Sequence, residues 1–308
     1  MRLRAIVLGI IASFFFAVTF VLNARMSLVG ESFVWSASLR YLFMVPMMLP
    51  VILYRKTGQK VFQEIKAAPM KWLVWSTVGF GLFYVPLCFS ADYAPAWVVA
   101  AAWQFTIIAG SLLTPLFPEA TKLPVRGLAM SGIIFAGIII VEASHGAGTS
   151  WHNVLLGGVS VVIAAFAYPL GNRKMMVLCQ GRLNALERVF GMTLASLPLW
   201  IVLSIIGLYT VGVPPASQVL QTAVVALSSG VIATVIFFAA TDLTKGDIHD
   251  LAAVEATQSG EVVFTMLLSL VFVSPAKPSP TALIGIIMIV LGMLGHSLGI
   301  SPDRELDG

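Results

Sequence analysis

Ten stretches of about twenty mostly apolar residues follow one another with short polar joins, and this constrains the fold more than any other feature of the chain. A bilayer core of about 30 Å is crossed by roughly 20 residues of helix. Inside lipid such a segment must satisfy its own backbone polar groups, which a helix does. By that measure spans fall near 5–24, 33–54, 72–91, 95–117 and 126–143, then near 153–172, 186–209, 218–240, 250–272 and 281–299. Composition agrees. Only 10% of the 308 residues are charged, against about 25% in an ordinary globular domain. So few charges cannot cover a water-facing surface, and the expectation is an all-α membrane protein of ten transmembrane helices. Arg2 and Arg4 ahead of the first apolar run give it the outline of a signal peptide. The run is long and has a later counterpart, so it reads as a retained helix.

The loops set an orientation. With the N-terminus inside, the cytoplasmic side holds Arg2, Arg4, Arg55, Lys56, Lys60, Lys66, Lys71, Lys122, Arg126, Arg173, Lys174, Arg182, Lys245 and Arg304, and the outside holds Arg25 and Lys277. Fourteen against two is a strong positive-inside bias, and it supports an even number of spans with both termini cytoplasmic. The join at 55–71, with Val61, Phe62 and Ile65 among basic residues, reads as an amphipathic segment on the membrane surface. The net charge of +4 is scattered over short loops and forms no basic stripe for nucleic acid. Cys88, in an apolar span, and Cys179, in a basic loop, lack metal-ligand spacing and read as a filler and a free thiol. No P-loop and no nucleophile–base pairing is present, so neither an ATP-driven pump nor an enzyme is expected, and no cofactor. His145 and His152 read as parts of a solvated outer loop.

The chain also repeats itself. Leu8-Gly9 matches Leu156-Gly157, Arg25 matches Arg173, Arg40 matches Arg188 and Pro50 matches Pro198, all at an offset of 148. Asp92 then matches Asp242 at 150 and Gln104 matches Gln258 at 154, the drift falling in the longer join from Asp242 to Asp250. Two five-helix units, 1–145 and 146–308, follow. An odd number of helices per unit places them in opposite orientations, the inverted-repeat plan of many secondary transporters, with a substrate site between the repeats near the midplane.

Two stretches carry a family likeness: Ser111-Leu112-Leu113-Thr114-Pro115-Leu116-Phe117-Pro118-Glu119 followed by Gly132 to Gly137, and their counterpart Ser269 to Lys277 with Gly285 to Gly292. On these the chain resembles the ten-helix branch of the drug/metabolite transporter superfamily. Ser38-Leu39-Arg40-Tyr41, Gly79 to Tyr84 with Pro86 to Phe89, and Trp103-Gln104 narrow the resemblance to bacterial multidrug resistance efflux transporters. The resemblance implies a central cavity to which spans four and nine contribute. Halves of the superfamily commonly end with a span, a glutamate and a glycine-rich last helix; Glu119 fits that pattern, and the second half departs from it by lacking the glutamate. Small drug exporters of the superfamily carry a carboxylate on the first helix. Here none lies between Ala5 and Ala24, nor in span six, which directs attention to span nine.

Ionisable groups inside spans are costly and face protein or a wet cavity. At 100° per residue Glu261, Thr265, Gln258, Ser269, Glu255 and Ser259 share an arc of about 160° on an otherwise apolar helix. Glu261, near mid-span, is the candidate proton or cation site, since a carboxylate there can load and release a proton. A structural ion pair or a hydrogen-bonded helix contact is the plain alternative, for Glu255 as for Glu261. Span four offers a similar face with Trp97 and Gln104, suited to ligand contact or to close packing. Arg40 with Asp92, and Arg188 with Asp242, are repeat-related and could form polar locks at opposite faces, one breaking as the other closes; static bridges or snorkelling are the alternatives. Met44, Met47 and Met48, with Phe16, Phe20 and Tyr168, suit an adaptable apolar site or lipid-facing filler. Of these, Tyr168 has a hydroxyl to satisfy.

The expectation is a secondary transporter of the bacterial cytoplasmic membrane that exports small organic molecules, with protons as the coupling ion to test. Lipophilic cations and amino-acid-like metabolites are rival substrates, and a passive facilitator or channel is the rival class.

Overall fold

Apolar blocks bounded by caps become helices in the computed structural model of the protein, which describes residues 2–117, 125–146, 150–244, 247–273 and 278–298. The elements are α1 (Arg2–Leu28), α2 (Phe33–Tyr54), α3 (Gly58–Ala67), α4 (Pro69–Ser90), α5 (Ala96–Leu116), α6 (Val125–Gly146), α7 (Trp151–Cys179), α8 (Ala185–Thr210), α9 (Ala216–Asp242), α10 (Ile248–Ala256), α11 (Gly260–Phe272) and α12 (Pro280–Leu298). No strand occurs among the described residues. Seven helices are long and apolar enough to cross a membrane: α1, α2, α4, α5, α7, α8 and α9. Two shorter apolar helical stretches, Met130–Ser144 and Pro280–Gly295, lie in α6 and α12. A short 3₁₀ turn, Thr257–Ser259, separates α10 from α11. Outward faces stay apolar, as Ile201, Val202, Ile205 and Ile206 on α8 illustrate. That surface suits lipid.

Local chemistry sets the starts. Ser32 caps α2 by accepting from the Val34 amide, and Ser150 caps α7 by accepting from that of Asn153. Asn184 and Glu187 form a reciprocal capping box on α8, satisfying two amides that would otherwise be orphaned. Glu187 also accepts from Lys60 of α3 at 3.2 Å. The amphipathic join is thus a helix tied to the bundle: Val61 is fully buried, Glu64 pairs with Arg182 at 2.7 Å, and Phe62 stays exposed.

Both ends of the bundle can be identified from the chain. Arg2 pairs with Asp250 at 3.5 Å, and Lys60, Arg182 and Arg188 cluster with their carboxylates at the same, basic end. α1 starts there, whereas α7 begins beside Ser90 and Tyr93 at the far end and finishes at the basic end, so the two run in opposite directions. α6 and α12 are antiparallel and in close contact. A methyl on Gly137 would stand 2.7 Å from the Gly285 carbonyl and 2.9 Å from Ile289; one on Gly285 would stand 2.7 Å from the Gly137 carbonyl and 2.9 Å from Val141. These contacts are reciprocal at the offset of 148. Elsewhere α1 packs on α9 and α11, α7 packs on α4 and α5, and α2 packs on α8.

Helical defects also come in pairs. α4 widens into a π-helical turn over Thr77–Leu82, and α9 does so over Ala226–Ala233. α5 breaks at Gln104, and the α10–α11 segment breaks over Thr257–Ser259, which contains Gln258. π-turns are rare and concentrate at functional sites.

Several sequence expectations change. Arg173 and Cys179 lie on α7, which runs past the expected end of its span, and both are buried. Cys88 is buried and free, as is Cys179. Met44 and Met48 are fully buried, so they are not lipid-facing filler. Glu119, Lys122, Lys245, Lys277 and Arg304 lie outside the described residues, as do the side chains of Arg126 and His145.

Candidate functional site

Four of the expected polar residues meet in one place, together with two of the expected aromatics, Phe16 and Phe20. Arg40 on α2, Tyr168 on α7, Gln258 in the 3₁₀ turn and Glu261 on α11 line a small internal cavity, with Phe16, Thr19 and Phe20 of α1, Phe83 and Leu87 of α4, Trp103 of α5 and Ser229 of α9. Its volume is about 10 Å³, room for roughly one water molecule.

The polar groups around it are incompletely satisfied. Glu261, 1% exposed, accepts from the Trp103 indole, while its Oε2 has no hydrogen-bond partner. Arg40, also 1% exposed, donates from Nη2 to Ser229 Oγ at 3.0 Å. Its guanidinium lies 4.0 Å from the Tyr84 ring centroid and 5.3 Å from that of Tyr41, so aromatic faces rather than a carboxylate solvate it. Arg40 Nε and Nη1 have no hydrogen-bond partner, nor does the Tyr168 hydroxyl. No ion pair joins Arg40 to Glu261.

The polar stripe of span nine faces inward. Glu255, Gln258, Ser259, Glu261 and Thr265 are buried, whereas Leu267, Leu270 and Val271 are exposed. Glu261 Oε2, Thr265 Oγ1 and Ser269 Oγ, one helical turn apart, all lack a hydrogen-bond partner. At 1.5 Å per residue they form a ladder of about 6 Å steps. It ends in a second cavity of about 460 Å³ at the far end of the bundle, lined by Ser27, Asp92, Trp97, Met266 and Ser269 among others. Ligand pockets usually measure about 300–1,000 Å³, so this vestibule is of ligand size.

Two ion pairs lie toward the basic end. Arg173 donates to Glu255 from Nε at 3.1 Å and from Nη2 at 2.6 Å, and its Nη1 donates to the Gly110 carbonyl at 2.7 Å. Arg188 Nη1 donates to Asp242 Oδ1 at 2.7 Å, with its guanidinium over the Phe238 ring at 4.8 Å. Arg40 and Asp92 are not paired: Arg40 turns into the core, and Asp92 accepts from Ser27 at the vestibule. Partial burial there pushes the Asp92 carboxyl above its ordinary pKa.

The remaining candidates are therefore redistributed. Glu255 and Arg188 belong to the ion pairs and not to the cavity, and Trp97 lines the vestibule. Gln104 is buried, and its Nε2 donates to the Ala100 carbonyl of its own helix at 2.8 Å. Trp103 and Ser229 were not anticipated. Trp103 closes the first segment of α5, just ahead of the break at Gln104, and lines the cavity, which Gln104 does not. Arg173 and its sequence counterpart Arg25 both lie on helices that run past the expected ends of their spans, α7 and α1.

Residues 3–301 match the family model described as "EmrE: Putative multidrug resistance efflux transporter". The chain belongs to this efflux transporter family. It is thus a multi-pass membrane transporter and not an enzyme. Among relatives of this EmrE-like chain, the uncharacterized protein YjlA of Bacillus subtilis (strain 168) is 46% identical over 313 residues, covering 98% of this chain and 97% of its own. An uncharacterized 42.1 kDa protein of Shouchella clausii, from the intracellular alkaline protease 3′ region, is 46% identical over 268 residues, covering 84% of this chain and 70% of its own. A protein of known crystal structure, 18% identical, superposes with a TM-score of 0.70 over 99% of this chain and 100% of its own, a likeness of fold.

Proposed function

We propose that the protein is a proton-coupled exporter of small organic molecules, built as two inverted five-helix repeats spanning 1–145 and 146–308. Ten spans follow if α6, the interrupted α10–α11 segment and α12 cross the bilayer beside the seven long helices. The opposite directions of α1 and α7, the reciprocal glycine contacts between α6 and α12, and the matched defects in α4 and α9 and in α5 and α10–α11 all support this plan. Broken helices at repeat-related positions are a common way of building a midplane site. The positive-inside bias assigns the basic end to the cytoplasm, which makes the 460 Å³ vestibule external and this conformation closed on the inside.

One observation carries the coupling: Glu261 is buried beside the central cavity with no basic partner and a free Oε2, on a polar ladder that reaches the vestibule. A proton arriving by the Ser269 and Thr265 hydroxyls can load Glu261. Release to the cytoplasm requires the Arg173–Glu255 and Arg188–Asp242 pairs to part. Proton and cationic substrate group compete for one carboxylate, so each displaces the other. That competition is the physical basis of exchange.

In proteoliposomes with a pH gradient, the parent is expected to drive uphill flux of a substrate chosen from cationic dyes and amino acids. Glu261→Gln is expected to retain at most downhill exchange. Equal uphill flux by that variant removes Glu261 as the coupling group. Downhill flux in the parent, indifferent to the gradient, would make the protein a passive facilitator instead.

A further inference from the structure

The central cavity holds two opposite charges that do not neutralise each other. Arg40 and Glu261 are each 1% exposed, come from different repeats, line the same small space, and make no ion pair. Each keeps polar atoms in reserve: Nε and Nη1 on Arg40, Oε2 on Glu261. A guanidinium that is merely structural finds a carboxylate or several carbonyls, as Arg173 does with Glu255 and the Gly110 carbonyl. Arg40 finds the Ser229 hydroxyl, a side-chain hydrogen bond with Tyr84 and two aromatic faces, and no carboxylate or carbonyl. Leaving donors of a buried cation unpaired is costly, and a ligand that pairs them recovers that cost.

Resting on the transporter reading above, we infer that the substrate is a small zwitterion with an apolar side group, its carboxylate held by Arg40 and its ammonium by Glu261. A carboxylate takes a charge-assisted hydrogen bond from a guanidinium nitrogen, and Nε and Nη1, on opposite edges of the Arg40 guanidinium, are each free to give one. An ammonium fits Glu261 Oε2, and the Tyr168 hydroxyl is a further unused group in the same wall. The side group meets Phe16, Phe20, Phe83 and Leu87. A purely cationic drug would leave Arg40 unpaired beside a second positive charge, and a purely anionic one would meet Glu261. Two-site charge matching favours the molecule that carries both.

The test uses the purified full-length protein in detergent and four probes: L-leucine, 3-methylbutylamine, which lacks its carboxylate, 4-methylpentanoate, which lacks its amine, and tetraphenylphosphonium. Equilibrium binding is expected to favour leucine over each truncated probe by at least about tenfold, since one charge-assisted contact is worth roughly 1.5–3 kcal/mol. Arg40→Gln should equalise leucine and 3-methylbutylamine, and Glu261→Gln should equalise leucine and 4-methylpentanoate. That crossed pattern cannot come from general misfolding, and the preference of the parent needs no variant at all. If the parent binds tetraphenylphosphonium or the amine as tightly as leucine, or binds none of the four, the zwitterion assignment is overturned. Gradient-driven flux of a cation that depends on Glu261 would overturn it while leaving the exporter reading standing. Equal uphill flux by Glu261→Gln would remove the coupling instead.

Discussion

Removing one side of the Arg173–Glu255 pair should cost far more than removing both. The two side chains are 7% and 9% exposed, are joined by bonds of 3.1 and 2.6 Å, and are anchored to the Gly110 carbonyl at 2.7 Å. Glu255→Gln leaves a guanidinium in a dry site with its principal acceptor gone. Breaking a buried pair in this way costs about 3–5 kcal/mol, whereas replacing both members with apolar residues of similar volume is often close to neutral. At about 2 °C per kcal/mol for a chain of this size, Glu255→Gln or Arg173→Gln should lower the melting temperature in detergent by roughly 6–10 °C. The double variant Arg173→Met with Glu255→Met should fall well short of the sum. A third perturbation approaches the same contact from the far side. A methyl on Gly110 would sit 2.7 Å from Glu255 Oε2 and 3.2 Å from Arg173 Nη2, so Gly110→Ala should destabilise the parent but have much less effect in the double Met background. Melting curves for the parent and these five variants measure this. Additive losses in the double variant, or an unchanged Gly110→Ala penalty in that background, would refute the claim that α5, α7 and α10 are locked through this pair.

Reciprocal packing of α6 and α12 predicts matched penalties: Gly137→Ala and Gly285→Ala each place a methyl 2.7 Å from the other glycine's carbonyl. Each should cost about 1–3 kcal/mol through overpacking. Gly158→Ala on α7, where a methyl meets nothing within 4 Å, should gain about 0.5–1 kcal/mol in melting experiments. Arg188→Gln removes the 2.7 Å bond to Asp242 and should open the basic end. Maleimide labelling of Cys179, 1% exposed in the closed form, is expected to accelerate several-fold, and no change would mean that this pair does not hold the end shut. Because burial raises the Asp92 carboxyl above its ordinary pKa, its ionisation opposes folding once the pH exceeds the unfolded value. Stability should therefore rise as the pH falls through the raised pKa, a dependence that Asp92→Asn removes from pH-resolved melting curves.

Much of the architecture can be read along the chain because lipid imposes a length rule. A helix that must satisfy its own backbone across about 30 Å leaves a block of fixed size, and charge can gather only between blocks. The inward polar face of the α10–α11 segment was legible for the same reason, since Glu261, Thr265 and Gln258 stand out against Leu, Val and Phe. The site was harder to read. Helical-wheel reasoning carries a constant rotation, but α5 breaks at Gln104 and α4 and α9 open into π-turns, so predicted faces drift from the actual ones. Ser229 lies within such a turn and lines the cavity, as does Trp103 just ahead of the break in α5, whereas Gln104 does not.

Apolar block lengths and loop charges are properties of the one-dimensional chain, and they determined a helical membrane protein. Partner choice is a three-dimensional matter. Arg40, Arg173 and Arg188 are the same side chain in similar apolar surroundings, yet Arg173 and Arg188 closed on carboxylates at the basic end and Arg40 came to rest against tyrosine rings and a serine hydroxyl. Only the packing of distant helices decides which opposite charge comes within reach. That decision left Arg40 and Glu261 in one cavity, unpaired, with polar atoms to spare.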